Sequence, residues 1–273
     1  MKDKKIGYLG PSGTYSELAA EKLYKGAALV AYPSFFTLFS ALEDGSVEAI
    51  VIPIENTLNG AVTQNLDLLQ ESAGVYANAA CAVKIDHRLI LPEGTDKSQV
   101  ERIYSHPQAL AQCGKYIAKN FPLAELKETS STAEAIEKLR AGDAGIVGAH
   151  CARSGYVLSE GCISDEENNY TQFLSVVRGE PCDNLQSDRV FVSVTCRHRA
   201  GALYELLGVL KEEGINMTEI ESRPIKNRTG EFRFFMETEG NYADGHVKAA
   251  LEKLKAAARS YKFLGCYVCG LPK

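Results

Sequence analysis

The sequence predicts an α/β protein with two α/β units followed by a smaller domain of order βαββαβ. Three observations support this prediction. Apolar runs and amphipathic periods alternate through the first two-thirds of the chain, and the pattern changes after residues 178–188, which are rich in Gly, Pro, Asn and Ser among charges. A chain of 273 residues is also long enough for two folding units. We therefore expect domains at residues 1–180 and 188–270.

The composition is that of a globular protein and excludes several functional classes. Hydrophobic residues make up 45%, charged residues 24%, and the net charge is −5. An acidic chain without Trp or a clustered Lys/Arg stripe lacks the electrostatic footprint of a nucleic-acid-binding protein. The apolar segment 6–9 is too short for a signal-peptide core or a membrane span. We expect a cytoplasmic protein with neither nucleic acid nor membrane as a partner.

The eight cysteines indicate neither a disulfide framework nor a metal site. They are scattered among predicted strands and helices, as expected for buried apolar residues in a reducing compartment. Cys266 and Cys269 form one Cys-x-x-Cys pair, but no second pair or nearby His completes a zinc site. The signatures of nucleotide binding, dinucleotide binding and serine hydrolases are also missing. The sequence therefore predicts no metal.

The first α/β unit is predicted in the order βαβαβ. Its elements are a strand at 6–9, a helix at 16–23 with Thr14 or Ser16 as N-cap, a strand at 29–32, a helix at 35–42 and a strand at 49–53. The last strand is almost entirely apolar, which is typical of a strand buried on both faces of a sheet. This order predicts a parallel sheet.

The second α/β unit follows two strands that lead away from the first. Those strands are predicted at 75–85 and 88–91, and the unit continues with a strand at 102–105, helices at 108–119 and 133–139, and a strand at 144–147. Two such units joined by extended crossings indicate two lobes around a cleft. Loops at the carboxyl ends of strands converge on ligands in such clefts.

The last third of the chain has the pattern of a ferredoxin-like sandwich. A strand at 190–195 precedes a helix whose leucines at 203, 206, 207 and 210 share one face, and Gly214 ends that helix. Strands at 217–225 and 231–239 then flank a turn, and a helix at 244–258 and a strand at 263–268 follow. The order is βαββαβ.

Five segments at predicted element boundaries are rich in small hydroxyl and amide residues. They are residues 10–16, 53–60, 105–109, 129–132 and 168–173, the last placed just before a strand. Helix capping is an alternative explanation for the first, second and fourth segments when each is taken alone. His106 lies in the third segment, whereas the role of His87 stays open. Together the segments predict one site for a small carboxylate-bearing anion held by neutral donors.

Taken in order, these segments resemble the prephenate dehydratase family with a C-terminal ACT regulatory domain. The matching residues are 10–16, 53–60, 65–67, 105–113, 131–133, 169–173, 201–204 and 221–224. The resemblance implies that the first region has the two-lobed fold of type II periplasmic binding proteins, with prephenate in its cleft. It also implies a ferredoxin-like ACT domain and a homodimer or homotetramer.

The resemblance implies that prephenate loses water and carbon dioxide to give phenylpyruvate, a step toward phenylalanine. Aromatisation supplies the driving force, so no cofactor is expected, and the enzyme must orient a dianion and assist the leaving hydroxyl. The family's threonine falls on Thr171, which we expect to donate to the departing hydroxyl. Because a threonine hydroxyl is a poor acid, Thr171 relays or stabilises, and Glu55 is the second candidate for the proton source.

The resemblance also implies the residues that bind the substrate. They are Thr14, Ser16, Asn56, Ser131, Thr132, Gln172 and Phe173. The family has an arginine where this chain has Gln172, and exchanging a charged clamp for a neutral amide costs about 1–3 kcal/mol of substrate binding.

Gln172 leaves several alternatives open. Prephenate could bind more weakly, Arg88 or Arg153 could supply the missing cation, or the substrate could be arogenate, the amino analogue. A non-catalytic amino acid sensor on the same fold is the rival from another class. Prephenate ranks first, because nothing in the sequence argues for a partner to the ammonium group of arogenate.

For the last third, the resemblance implies an allosteric site for L-phenylalanine where two ACT domains pair. Gly201 allows a close backbone approach, and Ala202 and Leu203 present N–H groups to the effector carboxylate. Glu221 is expected to pair with the effector ammonium, with Ser222 and Arg223 beside it. Feedback inhibition requires that phenylalanine bind one arrangement of the protein better than another.

Overall fold

The computed structural model describes residues 4–179, 186–228 and 230–270. Most of the predicted linker, residues 180–185 with Cys182, lies outside them. The described chain forms two lobes and a C-terminal domain, which confirms the predicted fold class. No helix in these ranges combines the length and the apolar character needed to cross a membrane.

The elements follow the predicted order with few differences. Residues 5–84 form β1 (Lys5–Leu9), α1 (Tyr15–Leu23), β2 (Ala28–Tyr32), α2 (Phe35–Glu43), β3 (Ala49–Asn56), β4 (Gly60–Ala61), α3 (Thr63–Glu71) and β5 (Val75–Lys84). Residues 87–158 form β6 (His87–Pro92), β7 (Arg102–Ser105), α4 (Pro107–Gln112), α5 (Gly114–Asn120), β8 (Glu125–Glu128), α6 (Thr132–Lys138), β9 (Asp143–Gly148) and β10 (Tyr156–Leu158). Residues 170–267 form β11 (Tyr170–Arg178), β12 (Arg189–Thr195), α7 (Ala202–Glu212), β13 (Met217–Pro224), β14 (Phe232–Glu239), α8 (Gly245–Ala257) and β15 (Ser260–Tyr267).

The first lobe is a mixed sheet with strand order β5-β11-β3-β1-β2. Strands β1, β2 and β3 are parallel, as the βαβαβ order predicts, and β11 runs antiparallel to both β3 and β5. The apolar run of β3 is buried on both faces, with Ile50, Val51 and Ile52 fully covered by helices and neighbouring strands.

The second lobe is a five-stranded sheet with order β10-β6-β9-β7-β8. The prediction of a single helix at 108–119 is wrong. The chain turns at Cys113 and forms the two short helices α4 and α5 instead. The Cys113 side chain is fully buried at this turn and packs in the core of the lobe. The short strands β8 and β10 were not predicted, since β8 consists of charged residues around one leucine.

The chain passes between the lobes twice. It leaves the first lobe after β5 and returns through residues 159–169 into β11. The two crossings are joined by the bond from Ile85 N–H to Asn169 O at 2.8 Å and the bond from Ile163 N–H to His87 O at 2.9 Å. Strand β11 begins at Tyr170, so the fifth segment enters this strand, whereas the sequence analysis placed it just before the strand.

The C-terminal domain has the predicted βαββαβ order and the sheet order β13-β14-β12-β15. One face of its sheet packs against α7 and α8 through residues such as Val192, Leu206 and Leu251. Within the described residues, β13 is an edge strand.

The other face of this sheet docks on the first lobe, which the sequence analysis did not predict. Phe191 and Phe235 belong to the same hydrophobic core as the first-lobe helices. Strand β15 pairs with β5 at Gly265 and Ala77, which joins the two sheets into one. A Cβ at Gly265 would lie 2.2 Å from the Ala77 carbonyl oxygen, and its φ of +147° also favours glycine, so this junction requires glycine.

Candidate functional site

A cavity of about 240 Å³ lies between the two lobes, at the carboxyl ends of their strands. Its lining comes from all five predicted segments and from four further positions. The lining residues are Leu9, Gly10, Thr14, Tyr15, Ser16, Asn56, Ile85, His87, His106, Gln108, Ala109, Gln112, Ser130, Ser131, Thr132 and Thr171. The structure thus brings together segments that are more than 150 residues apart in sequence.

Three helices begin at this cavity. Thr14 caps α1, His106 caps α4 and Ser131 caps α6, each through a side-chain atom that accepts a backbone N–H. These residues therefore cap helices and also line the cavity, so capping and binding are not exclusive. Helix N-termini carry partial positive charge. The described residues that line the cavity include no Lys, Arg, Asp or Glu. The cavity suits an anion held by neutral donors.

Two backbone N–H groups beside the cavity are already occupied by carboxylates of the protein itself, that of Ser130 by Glu134 at 2.9 Å and that of Gly13 by Glu17. The Glu17 carboxylate accepts hydrogen bonds from Gly13 N–H, from the Ser12 hydroxyl and from the Tyr8 hydroxyl at 2.7 Å. Burial raises the pKa of Glu17, but these hydrogen bonds outweigh it and hold the pKa below its usual value. The Gly13 N–H is therefore used by Glu17, which the sequence analysis did not foresee.

The Thr171 hydroxyl is oriented by an amide. Asn56 Nδ2 donates to Thr171 Oγ1 at 3.0 Å and to Asn169 Oδ1 at 2.8 Å. Both Asn56 and Thr171 are buried. Thr171 Oγ1 thus accepts a hydrogen bond from the protein, and within the described part of the chain no acceptor takes its own proton. The Thr171 O–H is available to a ligand in the cavity.

Three of the predicted site residues lie outside this cavity. Side chains alternate along a strand, and since Asn56 and Thr171 face the cavity, their neighbours Glu55 and Gln172 face the opposite side of the sheet. Glu55 and Gln172 are paired directly across β3 and β11. Phe173 is buried in the core beneath α1. The structure therefore does not bring the expected second proton source, Glu55, to the cavity.

Glu55 faces carboxylates of the C-terminal domain instead. Burial, followed by the charges of Glu237 and Glu221, raises the pKa of Glu55. The two arginines considered as substitute cations are also elsewhere. Arg88 pairs with Asp86 at 2.7 Å, and Arg153 lines a separate surface recess.

Sequence reasoning missed Gln112 and left His87 open, although both line the cavity. His87 is only 3% exposed, its Nε2 lies 2.9 Å from Gln112 Oε1, and burial is the main cause that lowers the pKa of its imidazole. The same Gln112 oxygen accepts from Asn169 Nδ2 at 3.0 Å. Gln112 had a signal in the sequence, because Gln108 and Gln112 are spaced i, i+4 on one helix face. His87 had none.

A second recess, of about 320 Å³, lies on the C-terminal domain where α7 begins. Gly201, Ala202 and Leu203 line it together with residues 196–199 and 230–232. Gly201 has a φ of +78°, which favours glycine at the N-cap of this helix.

The remaining predicted effector residues divide between the two faces of the C-terminal sheet. Glu221 is paired with Phe235, which belongs to the first-lobe core, so Glu221 and Arg223 face the first lobe. Arg223 binds Asp67 of α3 at 2.8 Å. Ser222 is paired with Phe234 and shares the face on which α7 packs. Only Gly201, Ala202 and Leu203 of the six thus line the recess in the single chain.

The cysteines and the metal prediction can be compared with the described residues only. Cys81, Cys113, Cys151 and Cys266 are buried, as expected, whereas Cys162 is exposed. In residues 4–179, 186–228 and 230–270, no group of three or more His, Cys, Asp or Glu side chains is arranged to hold a metal ion.

Comparison with known proteins gives concordant results. A family profile described as Prephenate dehydratase matches residues 6–181, and one described as ACT domain matches residues 190–256. A bifunctional chorismate mutase/prephenate dehydratase of Neisseria gonorrhoeae is 36% identical over 268 residues, which cover 96% of this chain and 74% of that protein.

Two solved structures resemble the whole chain. One is a prephenate dehydratase of Arthrobacter aurescens in complex with L-Phe, with TM-score 0.89 and 28% identity, covering 98% of this chain and 92% of that one. The other, GqqA, is described as a novel type of quorum quenching acylase, with TM-score 0.85 and 26% identity, covering 97% of this chain and 98% of that one.

Proposed function

Since the chain belongs to the prephenate dehydratase family and has a C-terminal ACT domain, we propose that its inter-lobe cavity converts prephenate to phenylpyruvate. The observation that carries this proposal is the Thr171 hydroxyl, which accepts from Asn56 and keeps its proton available among the N-termini of three helices. A buried, oriented donor beside an anion site is what the loss of a hydroxyl from a dicarboxylate requires.

Thr171 assists the leaving hydroxyl. Its O–H donates to the ring hydroxyl oxygen of prephenate as the C–O bond breaks and the ring carboxylate leaves as carbon dioxide. The electron pair of the broken C–C bond enters the ring, which becomes aromatic, and the hydroxyl leaves as water after taking one proton. Because the pKa of an aliphatic alcohol is far above neutral, Thr171 stabilises the departing oxygen and relays a solvent proton to it.

The two carboxylates of prephenate are held without a charged side chain. Thr14 and Ser16 at α1 lie in the first lobe, and Ser131 and Thr132 at α6 lie in the second. A dianion that spans the two helix N-termini links the lobes, because Ser16 and Thr132 supply hydroxyl donors beside the partial positive charge of each helix start, whereas the Thr14 hydroxyl donates to Leu9 O at 3.2 Å. Binding therefore orients the substrate across the cleft.

Prephenate is favoured over arogenate by the composition of the cavity. Arogenate was considered because Gln172 replaces a charged residue of the family. The Gln172 side chain faces away from the cavity, so this replacement does not remove a charge from the cavity. An ammonium group would need an acidic partner, and the described lining contains no Asp or Glu.

Two other functions have less support. An amino acid sensor does not need an oriented hydroxyl. In this protein the hydrogen bond from Asn56 orients the Thr171 hydroxyl. Acyl transfer by the cavity would need a nucleophile with an adjacent base. Among the described lining residues, no Ser, Thr or Cys side chain is hydrogen-bonded to a histidine.

The first experiment is an assay of phenylpyruvate formation from prephenate by the purified protein, with arogenate assayed in parallel as phenylalanine formation. We expect prephenate to be the substrate, with kcat/KM for arogenate lower by about 100-fold or more, since an ammonium lacks a partner in the cavity. Turnover of arogenate alone would assign the amino substrate. Binding of either compound without turnover would favour the sensor.

L-Phenylalanine is proposed to inhibit the enzyme from the recess at Gly201. No side chain caps the start of α7, and although the Ala202 N–H donates to Arg199 O at 3.3 Å, the Leu203 N–H has no partner among the described residues and suits a carboxylate. A second copy completes the site, because β13 is the edge of the described sheet and Tyr204 and Ile220 are exposed near it. We propose a homodimer or homotetramer, with domains at 1–180 and 188–270.

Glu221 and Arg223 are proposed to transmit the effector signal, since both face the first lobe and Arg223 binds Asp67. The protein is proposed to act in the cytoplasm, where buried thiols such as Cys81 and Cys113 stay reduced.

Gly201→Ala should weaken inhibition by phenylalanine. A Cβ at Gly201 meets nothing within 4 Å in the single chain and would occupy the space in which the effector approaches the backbone, so we expect the half-inhibiting concentration to rise about fivefold while kcat without phenylalanine stays the same. Gly208→Ala is the matched control, because Gly208 lies inside α7 with open space around it. Inhibition curves measure the effect, and equal curves for both variants would place the effector elsewhere.

A further inference from the structure

We propose that His87 is a positioning residue for the dehydration. Protonated on Nε2, it holds the Gln112 amide in one orientation. Through Asn169 and Asn56, that orientation keeps the Thr171 proton directed to the substrate. This inference rests on the proposed function, and it assigns His87 a role that the resemblance did not.

The network is fixed at one end by the backbone. The N–H groups of Leu58 and Asn59 donate to Asn56 Oδ1 at 3.2 and 3.1 Å. A backbone N–H can only donate, so this atom of Asn56 must be the carbonyl oxygen and the other must be the amide nitrogen. The Asn56 nitrogen therefore faces Asn169 Oδ1 and Thr171 Oγ1. The backbone thus determines which Asn56 atom meets the Thr171 hydroxyl.

The donor and acceptor atoms of Asn169, Gln112 and His87 are assigned by the same reasoning. Since Asn169 Oδ1 accepts from Asn56, Asn169 Nδ2 is the group that donates to Gln112 Oε1 at 3.0 Å. The Gln112 atom is then an oxygen, and His87 Nε2, at 2.9 Å from it, must carry the proton. Burial lowers the pKa of His87, so the imidazole is neutral at pH 7 and Nδ1 is bare.

The network spans the junction of the two lobes. Asn56 and Thr171 belong to the first lobe, His87 and Gln112 belong to the second, and Asn169 ends the crossing between them. The orientation of the Thr171 donor therefore depends on the relative position of the lobes.

Two atoms of the network have no partner among the described residues. They are His87 Nδ1, an acceptor, and Gln112 Nε2, a donor, and both are buried on side chains that line the cavity. A buried polar atom without a partner is costly, so these two atoms favour a bound molecule that supplies one donor and one acceptor.

Loss of the His87 donor removes one of the two hydrogen bonds that hold Gln112 Oε1. Gln112 is then held only by the bond from Asn169 Nδ2, so its side chain can move and leave Asn169 Nδ2 without its acceptor. Asn56 is held by the backbone, so the disorder falls on Asn169 and on the bond that orients Thr171. Catalysis should suffer more than substrate binding, because the residues of α1 and α6 that hold the carboxylates are separate from this network.

The test compares His87→Leu with His87→Gln, whose amide nitrogen reaches the position of Nε2. We expect His87→Leu to lower kcat for prephenate about 30-fold with KM changed less than about threefold, and His87→Gln to recover kcat to within about fivefold of the unmodified protein. His246→Gln in α8, far from the cavity, is the control. Long-range ¹H–¹⁵N spectra of the unmodified protein should show His87 protonated on Nε2.

Three results would overturn the proposal: equal losses of kcat in both His87 variants, a change in KM alone, or a His87 tautomer protonated on Nδ1. If the unmodified protein converts neither prephenate nor arogenate, the proposed function fails. The His87 tautomer then still tests the hydrogen-bond network. A proton on Nε2 supports the network, and a proton on Nδ1 contradicts it.

Discussion

Replacing Thr171 by valine is expected to lower kcat for prephenate about 1000-fold, because a methyl group of similar size replaces the hydroxyl that accepts from Asn56 and whose proton assists the leaving group. KM should change less than about threefold, since Thr14, Ser16, Ser131 and Thr132 still hold the carboxylates. Thr171→Ser keeps the hydroxyl and its bond from Asn56 and should recover most of the activity. Steady-state kinetics with prephenate measure the three variants.

The matched control for Thr171 is its neighbour Gln172. Gln172→Met alters a buried side chain of similar size on the same strand, but on the face away from the cavity. Its kcat and KM should stay within about threefold of the unmodified protein. If Thr171→Val retains more than a tenth of the activity, Thr171 is not the donor. A large rise of KM in Gln172→Met would show that Gln172 contributes to substrate binding.

Glu219→Gln is expected to stabilise the protein in alkaline solution by a few kcal/mol. Glu219 of β13 lies at the junction with the first lobe, near Glu221, Glu237 and Glu55. Burial, followed by the charges of Glu55, Glu237 and Glu221, raises the pKa of Glu219 to about 8. The carboxyl is thus protonated at neutral pH.

Glu237 and Glu219 differ in their partners. Glu237 accepts hydrogen bonds from Thr218 at 2.6 Å and from Tyr267 at 2.7 Å, and it lies 3.3 Å from Arg189 Nε. Among the described residues, no Lys or Arg side chain is paired with Glu219, so its ionised form is the less stable one.

The direction of the pH effect follows from the two pKa values of Glu219. The unfolded chain releases this proton near 4.5, whereas the folded protein keeps it to about 8. The folded state therefore binds more protons within this window, and the free energy of unfolding decreases as pH rises from 4.5 to 8 and stays lower above it. The loss is on the order of 4 kcal/mol at pH 9.

Urea unfolding at pH 5 and at pH 9 measures this effect. Glu219→Gln cannot ionise, so its advantage over the unmodified protein should be small at pH 5 and reach a few kcal/mol at pH 9. Glu252→Gln removes an exposed carboxylate of α8 and serves as the control. Equal stability of Glu219→Gln and the unmodified protein at pH 9 would contradict the assignment.

The position of Gln172 changes the interpretation of its departure from the family pattern. It pairs with Glu55, on the face of the sheet that carries the carboxylate group of the domain junction. An arginine at this position, as in the family pattern, would place a cation beside Glu55. In this chain the neutral amide leaves these carboxylates without that charge, so the departure concerns the junction between the domains more than substrate binding.

The order of the elements and the segments that meet in the cavity follow from the amino-acid sequence. Leucines 203, 206 and 210 repeat with helical spacing and formed α7, and the apolar run at 49–53 formed a strand buried on both faces. These patterns are local, because periodicity and capping residues act within a few positions of the chain. For the same reason all five polar segments contributed lining residues.

Which side chains face the cavity, and which distant groups meet, depends on how the elements pack together. Strand β3 continues to Asn56, and since adjacent side chains point to opposite faces, Asn56 enters the cavity while Glu55 faces the C-terminal domain. His87 and Gln112, or Gly265 and Ala77, come together only when separate elements pack. Such contacts depend on strand register and docking, which are set by the burial of whole faces and not by any local pattern.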